Sequence, residues 1–338
     1  MRRLRLGIAG LGRAFTLMLP TLVAHPRVEL VAAADPRAEA RARFAREHDA
    51  RVHADVDALC ADGDVDAVYV ATPHEHHAAH AIAAASRGKH VLVEKPMAVT
   101  LEETDAMIAA ARNAGVHLVV GHSHSFDAPV LRAREIVAGG SLGRVRMITA
   151  MNFTDFLYRP RRAEELDTAR GGGVVFSQAA HQVDIVRLLA GGVARSVRTL
   201  TGSWDAARPT EGAYAALLTF ADGTFASLTY SGYGHFDSDE LCGWVGETGF
   251  AKSPEQYGSA RRALAQSAGA HSEAAAKNAR NYGGDAYVAP VERPWHEHFG
   301  LVIASCERGD VRPTPQGVMV YSDARHLRLV ERDQVAPR

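Results

Sequence analysis

A chain of 338 residues, 47% hydrophobic and 23% charged, is longer than one ordinary core needs and has a globular composition, so two domains are expected. Its net charge of -1, with only short basic runs at 159–162 and 261–262, argues against nucleic acid or an anionic membrane surface as a partner. Cys60, Cys242 and Cys306 follow no metal or redox spacing, and no run approaches the ~20 apolar residues of a bilayer span, so a cytoplasmic setting is expected.

Up to residue 120 the chain alternates short apolar runs with helical patterns, the signature of a parallel α/β sheet. Strands are predicted over 4–9, 28–34, 65–71, 90–94 and 116–120, and helices over 13–24, 36–48, 55–60, 76–87 and 101–113. Gly88 ends one helix. Thr100 and Glu103 have the spacing of a capping box, and Gly115 supplies a left-handed stop.

After Gly121 the pattern changes. A helix over 128–138 is followed by strands over 145–153, 193–203, 214–220 and 224–232, with Asp222-Gly223 as a hairpin turn. The expected architecture is a doubly wound Rossmann domain over 1–122, then an α+β domain over 123–338 built on a large, mostly antiparallel open sheet. The Ala/Gly/Ser-rich stretch from about 250 to 290 reads as a mobile arm or lid.

Gly7-Ile8-Ala9-Gly10-Leu11-Gly12-Arg13-Ala14-Phe15 lies between the first strand and the first helix. Gly10 permits a tight turn, and Gly12 lets a pyrophosphate approach the positive end of the helix; Phe15 stands where a third glycine would complete the fingerprint. Asp35 ends the second strand about 20 residues on, where a carboxylate accepts hydrogen bonds from a ribose diol. It would repel a 2′-phosphate, which favours NAD, while neighbouring Arg37 keeps NADP open.

Two further strand-end loops carry Thr72-Pro73-His74-Glu75-His76-His77 and Glu94-Lys95-Pro96. A lysine delivered to that crevice can hold a substrate hydroxyl and help remove its proton. The glycine turn, Thr72-Pro73 with His77, the block from Gly88 to Pro96, and Gly171-Gly172-Gly173 followed by His181 and Asp184 together resemble the glucose–fructose oxidoreductase/inositol dehydrogenase (Gfo/Idh/MocA) family over nearly the whole chain. The resemblance implies an NAD(P)-dependent dehydrogenase in which Lys95 and His181 flank the nicotinamide, with Gly10, Gly12, Arg13, Ala14, Asp35, Arg37, Thr72, Pro73, His77, Glu94 and Lys95 around the cofactor. It also implies a homodimer or homotetramer built through the open sheet.

Two departures narrow the expectation. The family's aspartate four residues before the histidine is Ser177 here, and its usual Asn and Arg are replaced within Gly121-His122-Ser123-His124-Ser125-Phe126. The segments 152–167 and 171–184 resemble those of family members that dehydrogenate the cis-dihydrodiol of phthalate. Such a substrate is a dicarboxylate, and guanidinium forks bind carboxylates bidentately, so Arg159, Arg161 and Arg162 become substrate-binding candidates with His124 and Asp184. Three alternatives stand beside this reading: a sugar, inositol or other cyclic polyol as substrate, a non-catalytic NAD sensor, and a zinc protein. His76 and His80 have zinc-compatible spacing, but no ligand set is completed and no metal is expected.

Overall fold

The computed structural model describes residues 2–266, 270–289, 291–323 and 325–330. Six strands, β1 (Leu4–Ala9), β2 (Val28–Ala34), β3 (Arg51–His53), β4 (Ala67–Val70), β5 (His90–Glu94) and β6 (Leu118–Gly121), form a parallel sheet in the order β3-β2-β1-β4-β5-β6. Helices α1 (Arg13–Ala24), α2 (Ala38–His48), α3 (Val56–Ala61), α4 (His77–Ser86) and α5 (Leu101–Ala114) cover its faces, leaving one core around Phe15 and Phe44 and another around Leu59, Ala84 and Met107. All four residues of β4 are buried, which is why that strand reads as an unbroken apolar run. The Thr100/Glu103 capping box is formed, and Gly115 ends α5 at φ 67°. Strand order reverses between β1 and β4, so a crevice opens beyond their carboxyl ends.

The second domain begins with α6 (Ala128–Ala138) and β7 (Val145–Phe153), continues through α7 (Ala180–Ala190), β8 (Ala194–Gly202), β9 (Ala213–Phe220) and β10 (Phe225–Ser231), then α8 (Ser259–Ala265) and α9 (Ala270–Ala279). Four more strands close the chain: β11 (Leu301–Cys306), β12 (Gly309–Thr314), β13 (Gly317–Tyr321) and β14 (Arg325–Leu329). The eight strands form one sheet, β14-β13-β12-β11-β7-β10-β9-β8, in which only β7 and β10 run parallel. Helices α6 and α7 bury one face of it in a core that includes Ile148, Ile185, Leu228 and Val302. The other face is open, and β8 is exposed along nearly its whole length. Among the described residues, no helix is long and apolar enough to cross a membrane.

Three features depart from the sequence expectation. Strands β3 and β11 to β14 lie outside the expectation: β3 has only three residues, and Gly309, Pro313 and Gly317 break up the alternation in β12 and β13. Within the expected arm, 267–269 and 290 lie outside the described residues; parts of the rest are docked, with Arg261 on the Tyr233 and Gly234 carbonyls and Lys277 on Glu165, while Val288 is 76% exposed. After α9 the chain crosses back to the first domain, where Tyr282 is fully buried against Phe15 and Phe44, with ring centroids 5.4 and 6.2 Å away. Its hydroxyl donates to Glu47 at 2.7 Å. A buried aromatic anchor is incompatible with a free arm at that point, so the domain division at residue 122 separates the two sheets but not all of the packing.

Candidate active site

At the carboxyl end of β1, Gly10 has φ +94°, and a Cβ there would sit 2.8 Å from the Ala71 carbonyl. Only glycine lets these two strand-end loops approach so closely. At Gly12 a Cβ would meet nothing nearer than 4.0 Å, so no protein contact requires that glycine. Gly12 lines a cavity of about 550 Å³ together with Asp35, Thr72, Gly171 and Asn281. The first turn of α1 has no acidic residue and no side-chain cap, which leaves its amides to an anion. These residues fit a dinucleotide: a bare helix N-terminus for the pyrophosphate and a strand-end carboxylate for the ribose.

That carboxylate is already engaged. Asp35 accepts from the Leu11 and Arg37 amides at 2.8 and 2.9 Å, and from Arg37 Nε and Nη2 at 2.9 and 3.1 Å. Four donors fill a carboxylate, so a ribose diol has to take positions that the guanidinium now holds. Arg37 also donates to the carbonyls of Leu11 and Tyr282.

A second cavity, of about 880 Å³, adjoins the first and shares Arg13, Ala14, Thr72, His74, Phe156 and Arg161 with it. Lys95, at the end of β5, and His181, in the first turn of α7, both line this second space. Lys95 Nζ donates to the Ser177 carbonyl at 2.7 Å, which ties the two domains together at the catalytic lysine candidate. Burial lowers the Lys95 ammonium below its ordinary value, against the opposing pull of Glu94. Burial also pushes the His181 imidazole well below its usual value, helped by the charge of Lys95, and the ring is therefore neutral at pH 7. Glu94 accepts from the Tyr69 hydroxyl at 2.5 Å. The turn that delivers His181 depends on glycine: Gly173 has φ +80°, and a Cβ there would collide with the Glu211 carboxylate.

Thr72 and Pro73 line the cofactor crevice with Arg13, Ala14 and Arg37. His77 is fully buried with its ring nitrogens 2.8 Å from the Thr72 and Pro96 carbonyls, so it clamps the two loops and offers the cofactor no free polar atom. Asp184 lies outside the lining of both cavities; it is buried one turn beyond His181 on α7 and accepts from Arg187 at 3.1 Å. Of the three arginines, Arg159 and Arg161 line the second cavity. Arg159 donates to Asp155 at 3.0 Å, and Arg161 donates to the Phe156 carbonyl and stacks 3.6 Å over that ring. Burial pulls Arg161 down to about 10. Arg162 lines only the cofactor crevice, where it donates to Asn278 at 2.7 Å. Ser177 directs its hydroxyl to the Gly173 carbonyl, so no carboxylate stands behind His181 from that position. His80 contacts the Thr72 hydroxyl at 3.0 Å, and among the described residues no group of three or more His, Cys, Asp or Glu side chains is placed to hold a metal.

Glu247, Trp295 and Phe299 also line the second cavity, and the sequence did not single them out. Burial raises Glu247, yet the charge of Arg159 and a 2.8 Å hydrogen bond from Asn152 hold it below the usual carboxylate range. No motif marks these residues; only the return of the chain after β10 brings them to the site.

A sheet of order 3-2-1-4-5-6 with a glycine turn at its switch point, and a half-buried lysine and a buried imidazole beside that crevice, defines a dinucleotide-dependent oxidoreductase. Residues 4–122 match the oxidoreductase family model with an NAD-binding Rossmann fold, and 130–252 match the GFO/IDH/MocA C-terminal domain. A 1-carboxy-3-chloro-3,4-dihydroxycyclohexa-1,5-diene dehydrogenase of Comamonas testosteroni is 50% identical over 326 residues, covering 96% of this chain and 82% of that protein. A crystal structure from Bordetella bronchiseptica RB50, provisionally assigned as a dehydrogenase, superposes with TM-score 0.91 at 44% identity, covering 97% and 86% of the two chains. Levoglucosan dehydrogenase in complex with NADH and levoglucosan shares the fold, with TM-score 0.71 at 19% identity over 97% of this chain and 80% of that one. The chain belongs to the GFO/IDH/MocA family and is an NAD-dependent oxidoreductase.

Proposed function

We propose that the enzyme oxidises the cis-dihydrodiol of a carboxylated cyclohexadiene ring, transferring hydride to NAD. One observation carries this reading: the cavity that holds Lys95 and His181 also presents Arg159 and Arg161 beside the aromatic walls of Phe156 and Phe299. Guanidinium groups recognise a ring carboxylate, and flat apolar walls suit an unsaturated ring. The 50% identical relative is named for such a carboxylated dihydrodiol. The narrower reading is the 4,5-cis-dihydrodiol of phthalate, whose two carboxylates would engage both arginines.

NAD supplies the hydride acceptor. Lys95 holds the oxygen of the reacting hydroxyl, and the walls keep its carbon at near-attack distance from the nicotinamide, a positioning effect worth ~7–11 kcal/mol at best. Loss of hydride and proton leaves an enone that tautomerises to a catechol. Aromatisation then makes the step effectively one-way.

A second reading, oxidation of a sugar or inositol, draws on Glu247, a half-buried carboxylate lining the cavity that could accept from ring hydroxyls. NADH formation decides between them. We expect turnover with the cis-dihydrodiols of phthalate or of a benzoate and none with inositol or glucose; the reverse pattern selects the polyol reading. The open sheet face, with Val197, Leu200, Leu217 and Phe225 48–80% exposed, supports assembly into a homodimer or homotetramer, which light scattering tests.

A further inference from the structure

We propose that His124, backed by Asp127, is the group that receives the hydroxyl proton in this active site. The assignment rests on reading the cavity as an NAD-dependent alcohol-oxidising site, and it gives the proton to a histidine on a different element from His181.

The geometry comes from one short turn. His124–Phe126 forms a single 3-10 turn after β6, and Asp127 is the cap residue of α6, so the two side chains fall on the same side three residues apart. The His124 Nδ1–H donates to the Asp127 carboxylate at 2.8 Å. Asp127 is fully buried at the start of a helix, where the helix dipole favours its negative charge. An imidazole that donates from Nδ1 keeps its lone pair on Nε2, and His124 lines the same cavity as Lys95. A buried carboxylate that orients the ring and stabilises the imidazolium formed when it takes a proton is the arrangement of a catalytic general base.

His181 lines the same cavity but has no carboxylate behind it. Its Nδ1 is buried with no hydrogen-bond partner and Ser177 occupies the position from which a carboxylate would reach it, while Phe299 packs against both rings, at 4.8 Å from His181 and 5.1 Å from His124. The two histidines meet edge to face at 4.6 Å, so the role passes between neighbours without moving the substrate. The charged and titratable groups facing His124 are Asp127 on its own loop, His181 on α7, Lys95 at the end of β5, and Glu247, which Arg159 partly balances.

In the step itself the substrate O–H bond breaks and its proton goes to Nε2 of His124. The carbinol C–H bond breaks with its electron pair, reducing NAD to NADH, and the carbinol becomes a carbonyl. Asp127 stays ionised throughout, and the imidazolium returns its proton to solvent.

The test uses the whole enzyme and two kinds of readout. The first is the pH profile of turnover in wild type, His124→Asn, Asp127→Asn and His181→Asn, with NAD affinity measured by titration to confirm an intact fold. His124→Asn should reduce turnover about 100- to 1,000-fold and abolish the acidic limb of the profile. Asp127→Asn should reduce it about 10- to 100-fold, because the ring loses the carboxylate that orients it. His181→Asn should keep the limb. The second readout needs no substrate: nitrogen NMR of histidine-labelled protein should show neutral His124 protonated on Nδ1. An acidic limb unchanged in His124→Asn, or a neutral His124 protonated on Nε2, overturns the proposal. If the wild type forms NADH from neither dihydrodiols nor polyols, the functional reading falls, and the tautomer still decides the dyad.

Discussion

Arg37 lies against Asp35 with Nε 2.9 Å from Oδ1, while its Nη1 donates to the Tyr282 carbonyl at 3.2 Å. The side chain that fills the Asp35 carboxylate is thereby held by a segment 245 residues further along the chain. Arg37→Met should weaken NADP binding about tenfold or more while changing NAD affinity less than about threefold, since a charge-assisted hydrogen bond contributes about 1.5–3 kcal/mol. Fluorescence titration with both dinucleotides checks this, and an equal shift for the two would remove Arg37 from any role in their discrimination.

Tyr282 anchors that segment in the first domain. Tyr282→Ala should cost about 3–5 kcal/mol of stability, as expected when a buried aromatic is truncated, and should also weaken NAD binding because the adjacent Asn281 lines the cofactor crevice. Tyr282→Phe loses only the hydroxyl bond to Glu47 and should cost about 1 kcal/mol. Denaturant unfolding with and without NAD distinguishes these outcomes; a Tyr282→Ala protein with wild-type stability would show that the anchor contributes nothing.

Lys95 carries the substrate hydroxyl in the proposed reaction. Lys95→Met should retain NAD affinity and lose about 100-fold or more of turnover. Near-normal turnover in that variant would dismiss Lys95 as a catalytic residue.

The cavity arginines read the substrate's carboxylate in the proposed function. Arg159→Met and Arg161→Met should each raise KM for carboxylated dihydrodiols about 10- to 100-fold, with a smaller effect on kcat, and Arg162→Met, which faces Asn278, should not. If KM is unmoved by the first two changes, carboxylate recognition lies elsewhere.

Acid should loosen the contact between the domains. Burial lowers His74 to about 4 from its ordinary 6.5, and its ring lies 2.8 Å from the Gly171 carbonyl in the other domain. A folded value below the unfolded one means that neutral His74 contributes stability above pH 6.5, which is lost as pH falls through 4, up to about 3 kcal/mol. Denaturation midpoints of wild type and His74→Asn between pH 7 and 4 should therefore converge. Parallel curves would show that His74 does not report the interface.

Local physics made much of this protein legible from its sequence. The glycine turn after β1, the Thr100/Glu103 capping box and the Asp222-Gly223 hairpin each depend on a few adjacent residues, and all three are formed. The doubly wound order followed from apolar runs alternating with helical patterns. Lys95 and His181 were marked by strand-end position and by motif.

Tertiary structure decided what depends on distant segments meeting. Nothing near Arg37 in the chain announces that the Tyr282 carbonyl would hold its guanidinium, nor does the patterning of 249–289 reveal that Tyr282 completes the Rossmann core. Asp127 reads as an ordinary helix cap until its carboxylate is seen behind His124. Periodicity and turn chemistry are written in neighbouring residues, whereas hydrogen-bond partners and burial are settled only when the chain closes on itself.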